Sequence, residues 1–498
     1  MKDNSHKGLA AWQITMLTLG TVIGGSFFLG SAVAIREAGP AIIISYILGG
    51  GLVYLILFAL AEMTIANPAS GSFRTYAEDI FGPMAGFIVG WVYWTGLVLA
   101  MSSEAIAVSL LLKNWFPNIP GFLIGIIIII GITIINLFGV DKLTKLETGL
   151  AAIKLTAIIG FILIALLLVS GVFPGKNALG LGEIGRESLF PRGLTGIAGS
   201  MLIVMFTYAG FEITGLAAVE TEDTVHTIPR TIAYTVISLV GLYLIALLFL
   251  LPLVPTSILS EETSPLVTAL TRNGLAWAGV IMNIVMISAI LSTMLAATFG
   301  IGQMLHSLAK EGHAPFWLRD KTDIPYRGII FSGIAMLVGL GMGYLLPRQI
   351  YLFLVSSGGF SFLFVYTIIM ITHYQHRKKY GCPPKGKCTL PGFPYTSWIA
   401  IIGLIAIIAS MPLIAGQGTG LAAGLLLISF YFITYLITKK YKSFIFDLAP
   451  QLLFNKKPQT DLEVSDEFIT KKKNKNINKL KQNNKQNIKP DDKDNNNK

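Results

Sequence analysis

The chain has 498 residues, 53% hydrophobic and 13% charged, with mean hydropathy +0.67 and a formal net charge of +11. A soluble domain is about 25% charged, and a globule this apolar lacks the polar surface to coat itself. A soluble enzyme, a secreted disulfide scaffold and a nucleic-acid regulator are set aside on that ground, and a polytopic helical membrane protein remains.

Continuous apolar runs bounded by charge, Pro or Gly predict twelve membrane helices. A span needs roughly 20 apolar residues. In chain order the runs are Leu9–Ile35, Ala41–Ala61, Met84–Leu112, Phe122–Phe138, Leu150–Val172 and Gly196–Val219. Then come Ala233–Val254, Leu275–Leu308, Ile329–Leu346, Ile350–Thr372, Trp398–Ala415 and Gly418–Ile437. Runs such as Ile124–Ile135 do not alternate, so helices are expected rather than barrel strands. The first run extends well past a signal-peptide core, and no cleavable signal is expected.

Lys and Arg divide unequally between the two sides. Fifteen fall in loops on the side of the N-terminus, the tail left aside, and seven on the other. Both termini are therefore expected in the cytoplasm. From Lys439 onward fifteen Lys stand against eight Asp and Glu. The basic balance is thus largely a tail property, and no nucleic-acid partner is inferred. Lys471–Lys498, rich in Lys and Asn, reads as a disordered cytoplasmic tail.

Two spans carry interruptions. The first holds Gly20-Thr21-Val22-Ile23-Gly24-Gly25-Ser26, and the sixth holds Phe206-Thr207-Tyr208-Ala209-Gly210-Phe211-Glu212. Adjacent glycines weaken a helix. Backbone freed at bilayer depth must find partners or line a cavity. Paired interruptions in two halves of a chain are the sequence pointer to a transporter site; single glycines are more often for packing. N–H groups restarting at Gly25 and Ser26 suit a carboxylate. Carbonyls around Thr21–Ile23 and Phe206–Ala209 suit an ammonium. The two together fit a zwitterionic α-amino acid.

Lys154 lies in an apolar run, and Glu104 and Glu212 are acids within spans. Ionisable groups at that depth are read as functional by default. Lys154 could instead snorkel from a helix end. Glu104 and Glu212 could be structural hydrogen-bonding partners, and Phe206 and Tyr208 could cover a substrate. His373, His376, Cys382 and Cys388 have ligand types for zinc, but their Lys- and Pro-rich segment straddles a membrane exit, and no metal is assigned. Two cysteines make no disulfide framework. No phosphate-binding loop or catalytic set stands out. A transporter without cofactor is expected, not an enzyme.

At these residues the chain resembles the amino acid–polyamine–organocation superfamily, and within it the bacterial amino acid permeases. Gly20–Ser31 with Ala38-Gly39-Pro40 resembles the family's first helix and its exit. Glu62-Met63, Pro68 and Ser70-Gly71-Ser72-Phe73 through Tyr76-Ala77 resemble the stretch after helix two. Gly86-Phe87, Gly90-Trp91 and Tyr93-Trp94 resemble helix three, and Asn136 through Val140 with Glu147 and Lys154 resembles helices four and five. Gly210-Phe211-Glu212, Glu220 and Ile228-Pro229 resemble helix six and its exit, and Ser307 through Pro315 the loop after helix eight. Two departures stand out. The family's Gly-x-Gly reads Gly24-Gly25-Ser26, and Asp223-Thr224-Val225-His226 replaces an Asn-Pro.

The resemblance implies an all-α integral membrane fold of the LeuT type. It would have two inverted five-helix repeats, at 9–172 and 196–372, and two C-terminal helices at 398–437. It also implies substrate–cation symport in the bacterial plasma membrane, with helices one, two, six and seven moving against three, four, eight and nine. In proton-coupled relatives a helix-five Lys fills the place of a bound cation, so protons are the expected partner through Lys154, Glu212 and Glu104. The substrate-binding set is expected to be Thr21, Val22, Ile23, Gly24, Gly25, Ser26, Phe206, Thr207, Tyr208, Ala209 and Gly210. An exchanger is the nearest alternative, a non-transporting receptor the more distant one. A neutral side chain is favoured for the substrate. Oligomeric state is not legible.

Overall fold

The computed structural model describes residues 11–448, apart from 70, 114, 139, 174, 176, 213–223, 261, 321, 323, 346–349 and 384–387. The N-terminal ten residues, the Lys- and Asn-rich tail, and Glu220 and Asp223 of the sixth-span exit lie outside the described residues. The chain divides into Met1–Tyr435 and Leu436–Lys498. The first unit carries everything discussed below.

Among the described residues all regular structure is helical. Span one is in pieces: α1 (Ala11–Val22), a π-helical turn at Ser26–Gly30, and α2 (Ser31–Ala38). Then come α3 (Ile42–Ala66), α4 (Phe73–Phe81), α5 (Pro83–Leu112), α6 (Gly121–Asn136) and α7 (Val140–Ser170). The second half has α8 (Gly193–Tyr208), α9 (Thr224–Leu250), α10 (Pro265–Arg272), α11 (Ala276–Lys310), α12 (Tyr326–Leu345) and α13 (Ile350–Tyr380). The last two are α14 (Tyr395–Ser410) and α15 (Gly418–Leu448).

Eight helical stretches are long and apolar enough to cross a membrane, and three apolar helices are shorter, among the described residues. Of the expected twelve, the fourth and ninth fall short as the unbroken α6 and α12, and the first and sixth fall short at the breaks. At about 1.5 Å per residue, neither α1, with 12 residues, nor α8, with 16, spans a hydrocarbon core of about 30 Å alone.

Sequence reading by apolar runs missed α4 and α10, which are short and amphipathic. α4 buries Phe73, Arg74, Tyr76 and Ala77, and α10 buries Leu266, Ala269 and Leu270. That is helical spacing on one face only. α10 starts at Ser264, whose Oγ accepts from the Leu266 N–H at 3.3 Å.

Packing partners place the breaks. α5 lies against α13, α11, α12 and α6, and α11 also packs on α6 and α12. On the other side α2 and α3 pack on α8, α9 packs on α3, and α1 lies against α9 and α7. The interrupted stretch of span one is therefore surrounded by side chains from α5, α7, α9 and α11.

Candidate functional site

α1 keeps regular bonding up to the Ile23 N–H, which donates to the Leu19 carbonyl at 3.0 Å. The backbone then bends at Ile23 and Gly24. It restarts when the N–H groups of Phe27 and Phe28 both donate to the Gly24 carbonyl, each at 3.2 Å. Between these points two N–H groups turn to a side chain far off in sequence. Gly25 N–H donates to Glu104 Oε2 at 3.0 Å, and Ser26 N–H to Oε1 at 3.2 Å. A Cβ on Gly25 would lie 2.2 Å from Glu104 Oε2, so only glycine admits the carboxylate here.

The carbonyls on the other side of the bend are engaged too. Lys154 Nζ donates to the Gly20 carbonyl at 2.5 Å and to Thr293 Oγ1 at 3.1 Å. Thr293 Oγ1 in turn donates to the Ile23 carbonyl at 3.1 Å. Lys154 is fully buried, so it does not snorkel. Residues Thr21 to Ser26 are buried throughout.

The second break ends α8. Ala209 N–H donates to the Phe206 carbonyl at 3.1 Å, and the chain then leaves the helix at ψ 145°. Gly210 follows at φ +105°, a conformation that side chains resist. Glu212 folds back to receive the Gly210 N–H at Oε2, 3.0 Å. Tyr366 donates its hydroxyl to the same oxygen at 3.0 Å, and Tyr93 donates to Oε1 at 2.9 Å.

The breaks face one another. A Cβ placed on Gly210 would sit 3.4 Å from the Thr21 carbonyl oxygen. Aromatic rings close the space beside them. Phe27 stacks on Tyr243 at 3.9 Å, Tyr46 meets both of these rings edge-on, and Tyr208 meets Tyr46 edge-on and Tyr243 tilted. Tyr208 donates to the Tyr46 carbonyl at 3.1 Å, and Tyr243 to the Thr207 carbonyl at 3.4 Å. Phe206 lies against Phe362, with ring centres 6.0 Å apart.

A family model described as amino acid permease matches residues 13–447. The chain belongs to the amino acid permease family. It is 32% identical over 446 residues to the γ-aminobutyric acid permease of Bacillus subtilis, covering 88% of this chain and 94% of that one. It is 31% identical over 412 residues to the amino-acid permease AapA of the same organism, covering 82% and 89%. The γ-aminobutyric acid permease of Escherichia coli is 31% identical over 408 residues, covering 80% and 87%. Among solved structures, the manganese transporter of Eremococcus coleocola superposes with TM-score 0.53 at 15% identity, over 86% of this chain and 94% of that one. That likeness is one of fold. The protein is therefore a multi-pass membrane transporter of this family, with an all-helical transporter fold.

Of the residues singled out in the sequence, the permease brings Thr21–Ser26, Thr207–Gly210, Glu104 and Lys154 into one buried neighbourhood. Glu212 bonds back to the second break at the Gly210 N–H and takes its side-chain partners from α5 and α13. One expectation changes. The N–H pair expected to await a substrate carboxylate is held by Glu104. Thr293, Tyr366 and Tyr243, each with one polar atom on an otherwise apolar helix, were not singled out in the sequence, and Tyr93 was named only for its resemblance and not as a partner of Glu212.

A cavity of about 630 Å³ lies elsewhere, between α3, α8 and α14, lined by residues such as Leu52, Met201 and Gly403. Its walls are apolar and offer nothing to a zwitterion's charged ends.

Two further clusters sit beyond the spans' centres. Arg74, fully buried, bonds Glu78 at 3.0 Å and Glu311 at 2.5 Å, and so ties α4 to the loop after α11. Burial pushes the Glu78 carboxyl above the usual carboxylate range; Arg74 opposes this and Glu311 adds to it. The other cluster joins α3, α13 and the loop that follows. Glu62 Oε1 lies 3.4 Å from His373 Nε2 and 3.5 Å from Arg377 Nε, while Oε2 accepts from the Thr389 and Leu390 N–H groups. Cys382 and Cys388 are joined by a disulfide. His376 packs on Tyr380. The four residues weighed as zinc ligands thus go three separate ways.

Proposed function

We propose that the permease imports an α-amino acid by proton symport, with alternating access around the breaks in helices one and six. The observation that carries this reading is the opposition of the two breaks, Gly210 against the Thr21 carbonyl. Backbone N–H donors at Gly25 and Ser26 mark the anionic end of a zwitterion site. The carbonyls of Thr21 to Ile23 and of Phe206 to Ala209 mark its cationic end. Lys154 is the proton-coupling group of this reading. It is buried at bilayer depth, and its amine bridges a helix-one carbonyl and Thr293 on α11. Losing a proton there weakens a tie between the two helix groups, and gaining one restores it.

In this reading α1–α3, α8 and α9 move against α5, α6, α11 and α12, sets that each pack among themselves. The chain crosses the bacterial plasma membrane twelve times with both ends in the cytoplasm. Residues 9–172 and 196–372 form the two repeats. Two of the relatives are named for γ-aminobutyric acid, a compound with the same ammonium and carboxylate at wider spacing, so it belongs in any substrate panel.

The test is uptake into proteoliposomes of the twenty amino acids and γ-aminobutyric acid, each radiolabelled, under an inward acid gradient. Accumulation of at least one, abolished when the gradient is collapsed, supports the reading. Accumulation that needs sodium instead, or that needs the same compound preloaded inside, rejects proton symport.

A further inference from the structure

We infer that Glu104 is an internal competitor for the substrate's carboxylate: it occupies the Gly25 and Ser26 N–H pair and is displaced when substrate binds. The inference rests on reading the breaks as the substrate site, and it names what that site must exchange. Three observations meet here.

The first is geometric. One carboxylate spans two consecutive N–H groups at a helix start, each oxygen taking one donor, at 3.0 and 3.2 Å. That is the arrangement an amino acid's carboxylate would adopt at the same place. Two carboxylates cannot share the pair, since each oxygen position takes one occupant and like charges repel.

The second is the reach of the side chain. Glu104 comes from α5, 78 and 79 residues away in sequence from its partners. It belongs to the helix group proposed to stay still, whereas Gly25 and Ser26 belong to the group proposed to move. The bond thus crosses the boundary along which the transporter opens.

The third is the economy of its bonding. Among the described residues, the Glu104 carboxylate takes its hydrogen bonds from these two N–H groups. Glu212, by contrast, has two phenols besides a backbone N–H. The Lys154 ammonium also attracts the Glu104 carboxylate, but its hydrogen bonds come from the donors that the ligand needs, so a ligand can take its place. When substrate departs, its return serves two N–H groups that water entering the site must otherwise serve.

The consequence concerns affinity. A site closed by its own side chain binds with an apparent affinity lowered by the fraction of time it is closed. Removing Glu104 opens the pair to a free carboxylate.

Formate serves as the probe, because it is a carboxylate with no other recognisable feature, and thermal melting of the purified full-length protein as the readout. Formate is expected to raise the melting temperature of Glu104→Ala by several degrees. It should raise that of Glu104→Gln by less, since an amide turns one donor against a donor and is a poorer occupant. It should leave the wild type unmoved. Chloride at equal ionic strength should move none of them. Should Glu104→Ala not fold, the Gln variant decides. Formate stabilising neither variant, or stabilising the wild type to the same degree, overturns the inference. Loss of the transport reading shows separately, as a wild type that takes up no member of the amino acid panel while the formate response stands.

Discussion

Both breaks end at a buried carboxylate, and the two carboxylates are held in different ways. Glu212 lies two residues past Gly210 and is fixed by that residue's N–H and by hydroxyls from α5 and α13. Glu104 arrives from another helix and holds two bare N–H groups. On the inference drawn above, the first serves as a staple within a fold and the second as a plug in a site. The comparison teaches that an acid inside a membrane gains its role from its donors. Side-chain hydroxyls, fixed in place, make it structural, whereas backbone donors that a ligand also needs make it exchangeable.

The comparison can be broken at several points. Glu212→Ala strands two buried phenols and one N–H at once. With about 1–3 kcal/mol for each unsatisfied group, the loss should total roughly 4 kcal/mol. It is read as a large fall in melting temperature, with Glu212→Gln retaining part. Gly25→Ala should act on function rather than fold, because its methyl meets the far end of a movable side chain. Uptake should fall about a hundredfold, the cost of misplacing a binding group by about an ångström, while the melting temperature changes little. Gly210→Ala should do the reverse. Its φ of +105° resists a side chain, and the strain should cost on the order of 1–2 kcal/mol. Tyr366→Phe removes one donor from Glu212 and should cost about 1 kcal/mol, the smallest change of the four. Were Glu104→Ala to destabilise as much as Glu212→Ala, the distinction between staple and plug would fail.

Much of this was legible in residue order, for physical reasons. Glycines inside apolar runs marked both interruptions: a Cβ at Gly24 or Gly25 would collide with Thr293 or Glu104, and Gly210 holds a positive φ. Lys154, Glu104 and Glu212 stood out because charge in a span is costly. What residue order did not disclose is partnership. The bond from Glu104 to Gly25 joins positions 79 residues apart, and no local pattern encodes it. Tyr93 and Tyr366 were not legible as partners of Glu212, because a tyrosine in a membrane helix is mostly ring and only its last atom reaches the carboxylate. Thr293 hid likewise on α11, where a hydroxyl can satisfy itself on its own helix, as it also does here towards Ala289. The connecting helices α4 and α10 escaped because half their faces are polar.

The central claim is that an amino acid completes the two interrupted helices and that Lys154 couples its entry to protons. Uptake by wild type and Lys154→Ala proteoliposomes, side by side, tests it most directly. The wild type is expected to concentrate an amino acid under an inward acid gradient, while the variant still exchanges it across the membrane but no longer concentrates it. Undiminished uphill uptake by Lys154→Ala, or a wild type indifferent to the gradient, would contradict it.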